Sequence, residues 1–484
     1  MTTLLSKYKY DLTYDEMMDS SANPRETYLE YYNFIKQLSA KDIQEHHEFI
    51  DQTLLLLGIT FNVYNSKQKE RIFPLDPIPR IINHSEWSHI ESGLKQRIHA
   101  LNCFLSDVYS DQRIIKDNII PREFIESSSG FLKECMGVKP LKDRWCHITG
   151  SDIIRGSDGQ YYVLEDNLRC PSGVSYMLEN REIMKRTYPE LFKQLNVKSV
   201  RNYPLLLRQV CEFLSDSKQG NFGVLTPGIY NSAYFEHSFL AREMGAELLM
   251  GDDLVVINDE VHMKTTTGTE RIDVLYRRID DTFLDPTVFN PDSLLGTPGL
   301  FNAFRKGNVG LINAPGTGVA DDKLIYTFVP DMIRYYLSED PILPNLDTYL
   351  CYDDKQRQYV LDNIEKLVVK AVNGAGGYDL LIGPQSDQKT IDLFKKNIVK
   401  HPRKYIAQET ITFSTSPSFV DKQINARHVD LRPFILYGEN IEVTPGGLTR
   451  VALKDGSLVV NSSQGGGSKD TWILSETNQS NKEN

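Results

Sequence analysis

Long hydrophobic runs are missing from this sequence. The strongest, TLLLLGITF at Thr53–Phe61, is about half of the ~18 apolar residues that a membrane-spanning helix needs, so no membrane partner is expected. An excess of positive charge is missing too. Lys and Arg number 54 against 65 Asp and Glu, a net charge of −11, and a chain this acidic lacks the footprint of a nucleic-acid binder. A local basic pocket for phosphates is compatible with that balance. Cysteine is sparse: Cys103, Cys135, Cys146, Cys170, Cys211 and Cys351 are scattered, with no CxxC pair. That argues against a disulfide framework and against a close-paired zinc site. The N-terminal MTTLLSKYKYDLTYDEMMD has no basic segment followed by an apolar one. No secretory signal is expected, and a cytoplasmic location is.

The 484 residues are about three times the size of a common domain, which predicts two or three packed lobes. Residues 1–144 read as mainly helical. Pro24 opens one helix, Ala40–Leu57 forms a second, and Ser85–Val108 a third with Ile90, Leu94, Ile98, Leu101 and Phe104 on one stripe. Near Trp145 the text turns β-rich, and Asp152–Arg155, a turn at Gly156–Gly159 and Gln160–Leu164 read as a hairpin. Residues 199–320 read as an α/β layer: strand Phe222–Thr226, helix Ser232–Met244 stopped by Gly245, strand Glu247–Met250 and strand Asp273–Tyr276. Its loop Thr226–Asn231 sits at a strand end, where ligands bind in parallel sheets. Residues 321–474 read as a second α+β lobe, and the polar tail 475–484 is expected to be disordered.

Three places suggest chemistry. Lys370 lies on a β-prone run four residues before Gly374, and Gly374, Gly376 and Gly377 lead into another such run. No helix follows, so a P-loop or dinucleotide fingerprint is disfavoured. A Gly-rich hairpin can still fold over a polyphosphate with its backbone N–H groups facing the anion. Asp152, Glu165 and Asn167 form the second place. Strand alternation puts Glu165 and Asn167 on one face and Asp166 on the other, and two carboxylates with an amide oxygen suit magnesium. In the third, Asp430 and Arg432 share a strand face and Arg450 follows on a later strand, so two arginines converge as a phosphate clamp. His428 and Asp430 are spaced as a metal pair, but no third soft ligand is near.

In order and spacing, Lys370 with its Gly hairpin, the strand Ala407–Ile411 and Asp430-x-Arg432 resemble the ATP-grasp ligases. In that superfamily the acidic/Asn trio normally comes last. Here Glu165-Asp166-Asn167, followed by Pro171-Ser172-Gly173, precedes Lys370 by about 200 residues. That order resembles the circularly permuted ATP-grasp family, relatives of the glutathionylspermidine synthetase ATP-grasp domain. The strings YVLEDNLRCPSGVSYMLENR (162–181), LTPGIYNSAYFEHSFLAREMG (225–245), YRRIDDTFLDP (276–286), HVDLRPF (428–434), PGGLTRVAL (445–453) and NSSQGGGSKDTW (461–472) are similar to it as well.

The resemblance implies a circularly permuted α+β ATP-grasp fold with a helical N-terminal region (1–144), a magnesium-binding hairpin segment (145–198), an α/β substrate-side lobe (199–320) and a nucleotide-binding lobe (321–474). It implies ATP and Mg²⁺ as cofactors. Asp152, Glu165 and Asn167 would be metal ligands, and Lys323, Lys370, Gly374, Gly376, Gly377, Gln408 and Glu409 nucleotide contacts. Arg432 and Arg450 would face the transferred phosphoryl group. The activity implied is ATP-dependent joining of a small-molecule or peptide carboxylate to an amine or thiol. A phosphotransferase and a catalytically weak ATP-binding scaffold, with a protein partner, are the alternatives. Where synthetase relatives place an Arg two residues before the first metal Asp, this chain has Gly150, with Arg155 or Arg169 as substitutes. Tyr276–Arg278 is expected to line the substrate pocket, Glu236 and His237 to lie on a helix face, and Asn461 and Lys469 to be possible ligand contacts.

Overall fold

The computed structural model describes residues 5, 8–10, 13–62, 70–374, 379–460 and 465–476. Helix Ala40–Leu56 starts at a capping box. Ser39 Oγ accepts from Asp42 N at 3.2 Å, and the Asp42 carboxylate accepts from Ser39 N at 2.7 Å. Helix His84–Val108 starts where Asn83 Oδ1 accepts from Glu86 N at 2.8 Å. It buries the expected stripe, Ile90, Leu94, Ile98, Leu101 and Phe104, together with Arg97, which lies among them. Burial of each large apolar side chain contributes about 1.5–3 kcal/mol. Gly93 on this helix lets the chain at Leu343 lie directly against it, since a Cβ there would sit 2.4 Å from Leu343 Cγ.

Among the described residues, nine strands build the central sheet. From one edge they run Ile441–Val443, Phe434–Tyr437, Ile148–Arg155, Gln423–Arg432, Leu448–Val451, Gly467–Ile473 and Arg80–Ile82. Tyr161–Asn167 pairs with Ile148–Arg155, and Thr415–Val420 with Gln423–Arg432. The hairpin expected around Gly156–Gly159 is therefore part of this sheet. The N-terminal region is less purely helical than its composition suggests. It holds the short strands Thr60–Asn62, Glu70–Ile72 and Arg80–Ile82, the last parallel to Gly467–Ile473 with Ile81 opposite Trp472.

The α/β layer is a four-stranded parallel sheet in the order Gly310–Ile312, Val274–Arg277, Phe222–Leu225, Glu247–Leu249. Helix Tyr234–Met244 ends where Gly245 takes φ +63°, a left-handed stop that glycine adopts without strain. A third sheet is antiparallel and small: Thr348–Leu350, Tyr405–Glu409, Leu367–Ala371 and Leu380–Ile382. Helices Asp354–Asn363 and Gln388–Lys400 cover one of its faces, packing Val360, Ile391 and Ile398 on Leu367, Val369 and Ala407. Alternation then leaves Val368, Lys370 and Gln408 on the other face. Residues 321–474 thus serve two sheets, with 348–409 in the small one and 415–473 in the central one. Among the described residues no helix is long and apolar enough to cross a membrane.

Candidate active site

The open face of the small sheet and the central sheet bound a cleft of about 470 Å³, a size that suits a small-molecule ligand. One end is apolar, walled by Ile154, Leu164, Val368, Ile411, Phe413 and Val460. Gln408 reaches this end. Its Nε2 donates to Thr348 Oγ1 at 2.9 Å, while its buried Oε1 has no hydrogen-bond partner among the described residues. That leaves an acceptor for a ligand's donor. Glu409 also borders the cleft, yet its Oε1 accepts from Tyr349 Oη at 2.8 Å and Tyr359 Oη at 3.1 Å. Its carboxylate is therefore held by the small lobe's own tyrosines.

The other end is charged. Asp152 and Glu165 stand directly opposite each other across the hairpin, and Asn167 lies opposite Gly150. The register shifts just after Asp152, a β-bulge of the kind that re-aims a side chain beside a site. Asn167 Nδ2 donates to Gly150 O at 3.0 Å, which fixes the amide and leaves Oδ1 as its unengaged atom among the described residues. Asp152 accepts from Arg432 Nε at 2.5 Å and Nη2 at 2.7 Å, and from Arg450 Nη2 at 2.7 Å. Burial alone would raise its carboxyl. The guanidiniums, Arg432 first and Arg450 second, outweigh that and hold it well below the usual range. Asp430, opposite Arg450 in the sheet and bonded to it at 2.9 and 3.1 Å, goes the other way: burial raises it.

Two lysines come from outside the central sheet, Lys323 on a short helix and Lys370 on the small sheet. Lys323 Nζ lies 3.1 Å from Glu165 Oε2 and donates to Gly374 O at 2.7 Å, and its backbone N donates to Val372 O at 3.1 Å. Lys323 therefore bridges the hairpin to the Gly-rich turn. Lys370 lines the cleft between them. Burial and the charge of Lys323 lower its pKa to about 8, against the opposing pull of Glu165 and Asp152. Gly376, Gly377 and Asn461 lie outside the described residues, as does 477–484 of the tail.

Oxygen donors from two carboxylates and one amide fit a hard cation that draws its remaining ligands from phosphate and water, as Mg²⁺ does. Among the described residues no group of three His, Cys, Asp or Glu forms a metal site by itself. His428 and Asp430 belong to no such group either: His428 Nδ1 lies 2.7 Å from Phe413 O, and Asp430 pairs with Arg450 at 2.9 Å.

Other expectations need correction. Lys469 is no cleft contact. Gly467–Ile473 is an interior strand, and Lys469 Nζ is fully buried against Ile78 O (3.0 Å), Pro417 O (2.8 Å) and Asp76 (3.2 Å). Arg155 is turned away to Glu16 at 3.2 Å and Glu86 at 2.5 Å. Arg169 does line the cleft, bonded to Asp321 at 2.8 Å and Asp280 at 2.9 Å. Glu236 and His237 do lie on a helix, Tyr234–Met244, with both side chains buried. Glu236 accepts from the N–H of Gly173 (2.8 Å) and Ser175 (3.1 Å) at the start of helix Val174–Thr187, and pairs with Arg278 at 3.0 Å. Arg278 Nη1 also donates to Pro171 O at 2.7 Å, so it holds the wall at Pro171–Gly173 from behind. Glu236 and Arg278 both stand out in the sequence, but their pairing, 42 residues apart, has no local signal.

The model of the family described as circularly permuted ATP-grasp type 2 matches residues 79–452. An uncharacterized protein of Synechocystis sp. is 53% identical over 482 residues, 98% of this chain and 100% of its own length. A Frankia alni protein named "Putative glutamate--cysteine ligase 2-3" is 38% identical over 97% of this chain, which spans 54% of that protein. The structure of a glutathione synthetase-like effector from Globodera pallida aligns with a TM-score of 0.60 at 10% identity, covering 90% of this chain and 98% of the effector. That last likeness is one of fold.

Proposed function

The chain belongs to the circularly permuted ATP-grasp type 2 family, and from that premise we propose that it joins a carboxylate to an amine or thiol through an acylphosphate, at the expense of ATP. The family and its ligase-named relatives support an ATP-dependent ligase in general terms. The observation that carries the finer reading is the charged junction: Asp152, Glu165 and Asn167 on one wall face Lys323 and Lys370 on the other, beside Arg432 and Arg450.

In this reading the adenine lies at the apolar end, where the spare Gln408 Oε1 accepts from its amino group. Lys370 and Lys323 meet phosphate oxygens, with the turn at Gly374 closing over them. Asp152, Glu165 and Asn167 would hold Mg²⁺, which would neutralise phosphate charge there. Arg432 and Arg450 face the phosphoryl group as it moves, and fixed cations of this kind carry most of the catalysis in phosphoryl transfer. A carboxylate oxygen of the substrate forms a bond to the γ-phosphorus while the bridging bond to the β-phosphate oxygen breaks and ADP leaves. The amine or thiol then attacks the acyl carbon, inorganic phosphate leaves, and the attacking group gives up its proton. Arg432 packs over Gly150, whose added Cβ would lie 3.3 Å from Arg432 Cδ. In this chain it takes the space that a side chain at position 150 would occupy.

Two measurements test the reading. Mg²⁺–ATP at about 100 times its dissociation constant adds about 2.7 kcal/mol to the folded state, so wild type should melt higher with it and Lys370→Ala should not. Candidate carboxylates are then incubated with ATP and hydroxylamine, and a hydroxamate is expected alongside ADP. ADP with a stable phosphorylated product and no hydroxamate would replace the ligase with a phosphotransferase. No melting shift with ATP, ADP or Mn²⁺ would favour a non-catalytic scaffold.

A further inference from the structure

Asp166 lies between Glu165 and Asn167, so strand alternation sends it away from the cleft. Behind the sheet its carboxylate accepts from Arg97 Nε at 2.9 Å to each oxygen, from Arg97 Nη2 at 2.6 Å and from Ser151 Oγ at 2.8 Å. Both charges are out of water, Arg97 at 1% and Asp166 at 3% exposure. The remaining edge of the guanidinium, Nη1, donates to Asn345 Oδ1 at 2.7 Å. Asn345 Nδ2 donates to Tyr326 O at 2.8 Å, and Tyr326 closes the short helix that begins with Lys323. Tyr326 Oη donates to Val163 O at 2.5 Å and accepts from Leu346 N at 3.0 Å. One arginine from the N-terminal helix therefore touches the strand of the proposed metal oxygens. Through Asn345 it also reaches the helix of Lys323 and the chain that enters the small sheet at Thr348.

We propose that Arg97 is a positioning residue. Through Asp166 it sets the direction in which Glu165 and Asn167 present their oxygens, and through Asn345 it keeps that direction in register with Lys323 and the small lobe. This rests on the ligase reading above. The fork contributes the geometry: a carboxylate gripped on both oxygens and capped by Ser151 has one orientation, and the backbone of 165–167 turns with it. Core stability does not call for a charge pair here, because a buried ion pair replaced by apolar residues of like volume is often no less stable. The pair instead occupies the one strand position between the two cleft oxygens. Residues that orient metal ligands from behind typically change metal affinity about 10- to 100-fold.

The test is the Mg²⁺ dependence of binding a non-hydrolysable ATP analogue, read beside the unliganded melting temperature. Arg97→Met with Asp166→Leu removes the pair at similar volume. The double variant is expected to melt near wild type and still bind the analogue alone, yet lose about 10- to 100-fold of the Mg²⁺-dependent tightening. Arg97→Lys, which keeps the charge but not the fork, should restore only part of it. Full tightening in the folded double variant overturns the inference. Should that variant fail to fold, Arg97→Lys, which keeps both charges, gives the reading: lost tightening supports positioning, and unchanged tightening overturns it. Absence of Mg²⁺-dependent tightening in wild type removes the metal assignment itself, and the inference with it.

Discussion

At the scale of residues, the cleft is a set of charges held at fixed distances. Asp152 meets two guanidiniums through three hydrogen bonds. Asp152→Ala takes away a proposed metal oxygen and leaves Arg432 and Arg450 without their shared anion. ADP formation is expected to fall at least 10²–10³-fold, the loss seen when a fixed charge-stabilising group is removed. Near wild-type turnover in that variant would sink the metal assignment. Lys370 carries a prediction about pH. Its pKa of about 8 in the folded chain lies below the ordinary 10.5. Between those values the folded state binds fewer protons than the unfolded one. The charged lysine therefore costs stability fully below pH 8, and the cost is relieved as pH rises. Phosphate favours the charged form, so ATP affinity should be flat below pH 8 and weaken by up to about tenfold per unit above it. Titrations from pH 7 to 9.5 should show the bend in wild type but not in Lys370→Arg. A bend of equal size in both assigns it to another group.

Legibility also differs residue by residue. The shared face of Glu165 and Asn167, and the opposite one of Asp166, follow from the period of a strand. What Asp166 meets does not, because Arg97 is 69 residues away. A signal was present all the same: a charged residue within the helical stripe of Ile90, Leu94, Ile98 and Leu101 must be buried, and a buried charge must be paired. Gln408 and Glu409 show the limit of a motif. Adjacent strand residues face opposite ways, so only one of the two could turn its side chain into the cleft.

At the scale of elements, the helices were readable because caps and apolar spacing are local. The strands Arg80–Ile82 and Gly467–Ile473 were not. The second follows a run of glycines that reads as a loop, and the first finds its ladder partner there, about 390 residues away. Contacts between elements also set what a single position tolerates. Gly93 is where the connection to the small lobe crosses the long helix. A Cβ there would lie 2.4 Å from Leu343 Cγ and 2.8 Å from Cδ1. Although alanine is the better helix former, Gly93→Ala should destabilise the protein by about 1–3 kcal/mol, because overpacking outweighs about 1 kcal/mol of helix propensity. The urea midpoint reads the sign directly, and an unchanged or raised midpoint would show that the connection yields freely.

At the scale of the whole molecule, the stretch matched by the family model, residues 79–452, leaves out parts that the fold needs. Glu16 pairs with Arg80 at 2.6 Å and Arg155 at 3.2 Å, and accepts from Ser414 Oγ at 2.8 Å. Gly467–Ile473 pairs with Leu448–Val451 on one side and Arg80–Ile82 on the other. Within it Asp470 takes the buried Arg181 at 2.8 Å. A fragment of residues 79–452 would strip Arg80 and Arg181 of their carboxylates, at about 3–5 kcal/mol for each buried pair left half-made. It would also open an edge of the central sheet next to the strand that carries Arg450. Those losses together are comparable to the ~5–15 kcal/mol net stability of a typical folded protein. The fragment is therefore expected to show no cooperative melt and no shift with Mg²⁺–ATP, while the full chain shows both. A cooperative melt of the fragment with a full nucleotide shift would mean that the flanking segments only cover the domain. Its failure would mean that hairpin, arginines and lysines reach one cleft only because segments from both ends of the chain close the sheet beneath them.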